Sequence, residues 1–232
     1  MRLLLARPLP QAVMDRALAS HDTVVRTANT PLSPDELSGA LTDFDMVMPT
    51  LGDAFSAALF AEHPKPRCKL LANFAVGYNH IDVDAARAAG VTVTNTPGAV
   101  TDATADIALT LILMTARRAG EGERMVRKGA WPGWHPTQLL GLHITGRTVG
   151  IVGMGRIGQA IARRCHFGFG MSVHYHSRSP KVLDFPASPT DSLEALAANV
   201  DVLVVSVPGG AATHHLIDAP VLRAMQPHAL LV

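Results

Sequence analysis

Three glycines, Gly153, Gly155 and Gly158, follow directly behind the β-branched run Thr148–Val152 in a Gly-x-Gly-x-x-Gly spacing. Glycine at each place answers a different physical need. Gly153 allows the tight turn out of a strand. Gly155 lets backbone approach a pyrophosphate with no Cβ in the way, and Gly158 lets a helix pack close to the sheet. The run after them, Gln159 to His166, is predicted to be that helix. Its first N–H groups and the positive end of its dipole are suited to phosphates. The spacing alone is a weak signal, and a glycine-rich turn that binds nothing is the other reading. The strand before and the helix after it favour dinucleotide binding.

The following strand, Ser172–Tyr175, ends in His176-Ser177-Arg178-Ser179. A unit that binds NAD places an acid about 20 residues past the glycines, to accept from the ribose 2′-OH. No acid occurs from Gln159 to Leu183, and Ser177 stands where it is expected, with Arg178 next. A carboxylate there would repel a 2′-phosphate, whereas a guanidinium pairs with it and the serines can donate to it. This points to NADP(H) as the preferred cofactor. In the alternative, Arg178 stacks on the adenine and NAD(H) is taken as well.

Behind these residues the chain alternates short apolar runs with helical segments. Predicted strands are Leu3–Ala6, Thr23–Arg26, Met46–Met48, Leu70–Ala72 and Val91–Thr94, separated by helices Gln11–Ser20, Pro34–Leu41, Asp53–Ala61 and Val83–Ala89. Such βα repetition implies a parallel sheet covered on both faces. Thr96-Pro97-Gly98 reads as a hinge. The helix 102–118 is apolar nearly all round, so it is expected between two bodies. Residues 129–146 carry Trp131 and Trp134 in an irregular run. An irregular arm with two tryptophans suggests a homodimer contact, with packing on the same subunit as the alternative.

The βα pattern resumes at Thr148. A capping box Asp191-Ser-Leu-Glu194 is expected to open a helix 192–199, Asp218 to cap 219–225, and Val202–Val207 and Ala229–Val232 to be strands. That gives four strands of a nucleotide fold that usually has six, so the second domain is expected to be incomplete at its C-terminus.

With 232 residues, 48% hydrophobic and 17% charged, the chain is long enough for one or two domains with a sizeable core. A net charge of +1 argues against nucleic acid or an anionic membrane as the main partner. Neither the N-terminal apolar run nor Ile107–Ala116 is long enough for a signal segment or a membrane span. Cys68 and Cys165 fit no zinc or redox spacing, and the expected setting is a reducing cytoplasm.

Taken together, four stretches resemble the D-isomer-specific 2-hydroxyacid dehydrogenases, and within them the glyoxylate/hydroxypyruvate reductases. They are Asn73–Asp82, then Thr94–Gly98 with Thr101–Asp106, then Gly150–Gly158, and finally Pro208 with Thr213–Ile217. They fall in the family's order across essentially the whole chain. The resemblance implies a flavodoxin-like substrate domain over 1–97 and a Rossmann doubly wound nucleotide domain over 98–232. It implies that Val76 and Gly77, with Ala75 beside them and Leu51 and Gly52 across the cleft, hold a substrate carboxylate. Val76 and Thr104 would lie against the nicotinamide, and Met154, Gly155, Arg156 and Ile157 would cradle the pyrophosphate. Ser177, Arg178 and Ser179 would meet the adenosine ribose, and Val207, Pro208 and Thr213 would line the adenosine side. A bare strand-end turn at Val76-Gly77 and an ordinary helix-start residue at Thr104 remain the plainer readings.

The family's chemistry uses an Arg, a Glu and a His that this pattern places beyond Val232, so no catalytic residue is assigned within the chain. His214-His215 falls in a nucleotide-side loop and is not assigned to catalysis. The implied reaction is hydride transfer from a nicotinamide to the C2 carbonyl of a small 2-oxo acid. A dimer through the 102–118 helix and the 119–146 arm is expected. Two rival functions stand on the same fold: NAD-dependent oxidation of formate, phosphite or a sugar acid, and non-catalytic nucleotide sensing.

Overall fold

A computed structural model describes all residues 1–232, which divide into two compact units, Met1–Ala99 and Val100–Val232. The first unit alternates β1 (Arg2–Leu5), α1 (Gln11–Ser20), β2 (Asp22–Val25), α2 (Pro34–Asp43), β3 (Met46–Met48), α3 (Ala57–Glu62), β4 (Leu70–Ala72), α4 (Val83–Ala88) and β5 (Thr92–Thr94). Its five strands are parallel in the order β2-β1-β3-β4-β5, the flavodoxin-like order. Helices on both faces explain why β1 reads as an unbroken apolar run: Leu3, Leu4 and Leu5 are all buried. Val47, Leu71, Leu41, Phe55 and Phe60 fill the core around them.

Local chemistry sets the helix starts. Ser33 and Glu36 form a capping box at α2, with Pro34 in its first turn. The helix predicted over Asp53–Ala61 begins only at Ala57, where the Ser56 side chain accepts from the Leu59 amide. Asp53 lies outside it because its carboxylate is buried and bonded to a neighbouring loop.

The second unit opens with α5 (Thr101–Ala116) and α6 (Ala119–Arg127). It then runs β6 (Thr148–Val152), α7 (Arg156–Phe169), β7 (Ser172–His176), β8 (Ser188–Pro189), α8 (Leu193–Ala198), β9 (Val202–Val205), a short 3-10 turn (Ala211–Thr213), α9 (Ala219–Ala224) and β10 (Leu230–Leu231). The sheet order β10-β9-β6-β7-β8 is parallel throughout. Counted from β6, this is the Rossmann arrangement 3-2-1-4-5.

Several expectations need correcting. The sheet has five strands, not four: β8 is an edge strand of only Ser188 and Pro189, and a proline is tolerated there because an edge need not donate on both sides. Residues 129–146 are irregular as expected, and the helix α6 precedes them. Arg118 separates α5 from α6 in a left-handed conformation, φ 53°, and pairs with Glu121. Helix α5 buries one face, Ala105, Ala108, Ile112 and Ala116, while Ile107 (60% exposed), Leu111 and Met114 stay exposed on the other.

Helix α7 begins at Arg156, earlier than predicted, and β9 stops at Val205, before Val207. Ser192 caps α8 alone by accepting from the Ala195 amide, and Asp218 caps α9 as expected. Where the arm returns, the Leu142 amide donates to the Ala116 carbonyl at 2.8 Å. A Cβ on Gly141 would lie 2.1 Å from that same oxygen. No helix is long and apolar enough to cross a membrane.

Candidate active site

In the second unit the glycine turn lies at the point where the strand order reverses, between β6 and β9. Gly153 has φ +94°, and a Cβ on it would meet the Ser206 carbonyl at 2.4 Å, so only glycine fits. A Cβ on Gly158 would fall 2.2 Å from the Gly153 carbonyl, which is the close helix-to-turn approach. Gly155 differs: nothing lies within 4 Å of its would-be Cβ, so its glycine is not demanded by the protein itself. It sits as N-cap of α7 with no side-chain cap and no acid in the first turn. The amides of Arg156, Ile157 and Gly158 donate to nothing in the chain. An open face, unspent helix-start N–H groups and no competing carboxylate fit a dinucleotide pyrophosphate. Met154 turns its side chain into the core, leaving only its backbone to the site.

Two further segments are tied to this turn. The Gly153 amide donates to the His176 carbonyl at 2.9 Å, so Ser177, Arg178 and Ser179 begin beside it. Arg178 and Ser179 are exposed, and Ser179 Oγ accepts from Lys181 Nζ at 2.9 Å. Lys181 is a second cation that the sequence reading passed over, although its spacing from Arg178 was visible. Asp184, the first acid after the glycines, is engaged by Arg163. The Ser206 amide donates to the Val152 carbonyl at 2.8 Å, bringing Val207 and Pro208 alongside. Thr213 closes that loop, its hydroxyl donating to the Pro208 carbonyl at 2.6 Å. Thr104 is exposed in the first turn of α5. That helix is fastened to α7 by Arg164, which pairs with Asp102 and Asp106 at 3.0 and 2.8 Å.

In the first unit the corresponding switch of strand order falls between β1 and β3. Leu51 and Gly52 lie in the loop after β3. That loop is pinned from beneath by Asp53, fully buried, whose carboxylate accepts from the amides of Leu32 (2.9 Å) and Thr50 (2.8 Å) and from Arg7 (3.2 Å). Arg7 also donates to the Leu51 carbonyl at 3.1 Å.

The loop after β4, Asn73–His80, turns its carbonyls inward. The Ala75 carbonyl accepts from the Thr96 amide (3.1 Å) and from Asn73 Nδ2 (3.4 Å). The Val76 carbonyl accepts from Asn95 Nδ2 (2.9 Å), and the Gly77 carbonyl from Asn73 Nδ2 (2.9 Å). A trans peptide unit points its N–H opposite to its C=O. The amides of Val76 and Gly77 therefore face away from these bonds, and neither donates within the chain. Ala75 differs, because its amide is spent on the Asn73 carbonyl. Two adjacent free amides are donors suited to an anion. Asn73 and Asn95, which frame it, were not singled out from sequence.

A parallel sheet of Rossmann order with this glycine turn, joined in one chain to a flavodoxin-like unit, is the architecture of nicotinamide-nucleotide-dependent oxidoreductases. The chain belongs to the D-isomer-specific 2-hydroxyacid dehydrogenase family. Residues 3–165 match that family's catalytic domain and residues 109–232 its NAD binding domain. A glyoxylate reductase from Thermococcus onnurineus is 39% identical over 237 residues, covering 100% of this chain and 70% of that protein. A glycerate dehydrogenase from Hyphomicrobium methylovorum is 34% identical over 235 residues, covering 100% and 72%. Among solved structures, the NADPH-dependent glyoxylate/hydroxypyruvate reductase from Sinorhizobium meliloti, in complex with NADP and malonate, superposes with TM-score 0.83. It shares 34% sequence identity, over 99% of this chain and 69% of that one.

Proposed function

We propose that this protein reduces a small 2-oxo acid, glyoxylate or hydroxypyruvate, to the D-2-hydroxy acid, with NADPH preferred over NADH. The observation that carries the substrate half is the pair of unspent amides at Val76 and Gly77, whose orientation is enforced by the bonded carbonyls of Ala75 and Val76. Those amides hold the carboxylate, with Leu51 and Gly52 bordering the same substrate, and fix the distance from it to the C2 carbonyl. Phe74 and Tyr78, both exposed beside the loop, favour a short acid over a bulky one.

The cofactor half rests on Ser177, Arg178 and Ser179 standing where an NAD-type site has a carboxylate. Gly155 and the amides of Arg156 to Gly158 hold the pyrophosphate; Arg178 and Lys181 neutralise a 2′-phosphate; Thr104 borders the nicotinamide; Val207, Pro208 and Thr213 border the adenosine. The bound dinucleotide supplies the hydride. The names of the relatives support the substrate class, and the NADP held by the Sinorhizobium meliloti enzyme supports the cofactor. An NAD-dependent oxidation of formate, phosphite or a sugar acid fits less well, because the chain from Gln159 to Leu183 carries no acid to receive a ribose 2′-OH.

The working molecule is proposed to be a homodimer formed through α5 and the 119–146 arm. In support, Ile107, Leu111 and Met114 on one helix face and Trp131 and Trp134 (81% exposed) on the arm are apolar and uncovered.

The test of the reading is nicotinamide absorbance with glyoxylate and hydroxypyruvate, comparing NADPH and NADH. Turnover at least about tenfold more efficient with NADPH is expected from one charge-assisted contact to phosphate. Oxidation of formate or phosphite with NAD, and no reduction of 2-oxo acids, would replace it. Light scattering tests the dimer, which Trp134→Ala together with Met114→Glu is expected to dissociate.

A further inference from the structure

We infer that His80 is a positioning residue for substrate binding, acting through Asn73 to keep the Val76 amide turned toward the substrate carboxylate. The inference rests on the carboxylate-loop reading above and goes beyond it, since none of the residues assigned to the site includes His80.

Asn73 is buried, and its Nδ2 is committed to two carbonyls, Ala75 at 3.4 Å and Gly77 at 2.9 Å. Its Oδ1 is thereby the acceptor end, and what reaches it is His80 Nε2, at 3.1 Å. Nε2 must carry the hydrogen, so His80 is the Nε2–H tautomer. Its other nitrogen, Nδ1, is buried with no partner. A hydrogen on Nδ1 would be a buried donor without an acceptor, which disfavours both the other tautomer and the cation. Burial likewise pulls the His80 pKa down, partly opposed by the Asp53 carboxylate and reinforced by Arg7.

The fixed imidazole holds the Asn73 amide in one of its two orientations. If Asn73 turned over, its oxygen would face the carbonyls of Ala75 and Gly77, repelling both. Because the Ala75 carbonyl and the Val76 amide share one peptide plane, the bond from Asn73 to that carbonyl, beside the one from the Thr96 amide, helps fix where the Val76 amide points. His80 touches neither substrate nor cofactor in this scheme, so its influence is on carboxylate affinity rather than on the chemical step.

The experiment uses the protein at its natural full length with NADPH and compares wild type, His80→Leu and His80→Gln. The leucine removes the donor; the glutamine keeps an N–H donor without a titrating ring. KM for glyoxylate is expected to rise about tenfold in His80→Leu with kcat within about twofold, the loss of one buried hydrogen bond. His80→Gln is expected to restore KM to within about twofold of wild type. An unchanged KM in His80→Leu, or no rescue by glutamine, overturns the inference. Two readouts are independent of turnover, and the first needs no variant. Ring nitrogen shifts of the wild-type protein are expected to report Nε2–H at neutral pH, and an Nδ1–H tautomer overturns the scheme. Addition of oxalate to the wild type is expected to shift the Val76 and Gly77 amides, a response weakened in His80→Leu, and an equal response in both overturns it. Absence of glyoxylate turnover in the wild type with the oxalate response intact would sink the reductase reading alone.

Discussion

Gly158 sits so close to Gly153 that a Cβ on the first would lie 2.2 Å from the carbonyl oxygen of the second. Gly155, between them in sequence, has open space where its side chain would be. The same motif thus contains two glycines required by packing and one left for a ligand. Gly158→Ala is expected to cost stability by about 1–3 kcal/mol through overpacking. Gly153→Ala adds the strain of its positive φ, about 1–3 kcal/mol more. Gly155→Ala should leave the melting temperature nearly unchanged while weakening NADPH binding about tenfold or more. Thermal melts and cofactor titration by fluorescence separate the three, and a Gly155→Ala protein that binds normally would remove that residue from the site.

Arg178 provides the test of cofactor choice. Its guanidinium is exposed and bonded to nothing in the chain, while Lys181 is held beside it by Ser179. Arg178→Ala is expected to weaken NADPH about 10–100-fold, one to two charge-assisted bonds, and NADH by much less. Equal losses with both cofactors would mean that Arg178 contacts the adenine rather than a phosphate.

Asp53 holds the loop of Leu51 and Gly52 from below. Removing its carboxylate strands Arg7 and leaves the Leu32 and Thr50 amides without acceptors. Asp53→Ala should destabilise the first unit by about 3 kcal/mol or more, as breaking a buried pair does. Urea unfolding measures it, and a loss below about 1 kcal/mol, the range of an exposed pair, would refute the pinning role.

Acid should weaken the first unit in a defined window. The Arg26 side chain, with the Ser33 amide, lowers the Glu36 carboxyl from 4.5 to about 2. The Arg67 side chain, with the Arg2 amide, lowers Asp45 from 3.8 to about 2. Both pKa values are depressed on folding, so the stability they contribute is present above the unfolded values and lost as pH falls from about 4.5 to about 2. Urea midpoints should fall steeply below about pH 5, and Glu36→Gln with Asp45→Asn should flatten that acid limb.

Burial pushes both thiols, Cys68 and Cys165, up to about 11. A disulfide reagent at pH 8 should find no fast thiol in the folded protein and both after denaturation, since thiolate is the reactive form. Rapid labelling of the native state would show that one of the two is accessible.

The sheets were legible because parallel strands buried on both faces carry continuous apolar runs, as Leu3–Leu5 and Thr148–Val152 do. Gly153 and Gly158 announced themselves through spacing, and the absence of an acid near Ser177 was equally plain. Other features were hidden for physical reasons. Strand β8 is two residues long and includes Pro189, so it has neither period nor propensity to display. Helix α6 follows a left-handed arginine, a conformation that no arginine advertises. Asp53 looked like a helix-start residue because its real bonds run to Leu32 and Arg7, far away in the chain. Asn73, Asn95 and His80 shape the carboxylate loop through side-chain bonds to backbone, and such pairings exist only once the chain is folded.

The crossing of Gly141 over the Ala116 carbonyl has a further consequence. It clips together the two ends of the excursion 117–141, so this segment leaves the second unit and returns to it at one spot. Lengthening, shortening or replacing the excursion changes what the molecule shows to its surroundings without altering the path of the chain on either side. Within the excursion Gly141 is held by its closeness to the Ala116 carbonyl, and Gly129 and Gly133 by their positive φ, while Trp131 and Trp134 face outward as the surface it offers.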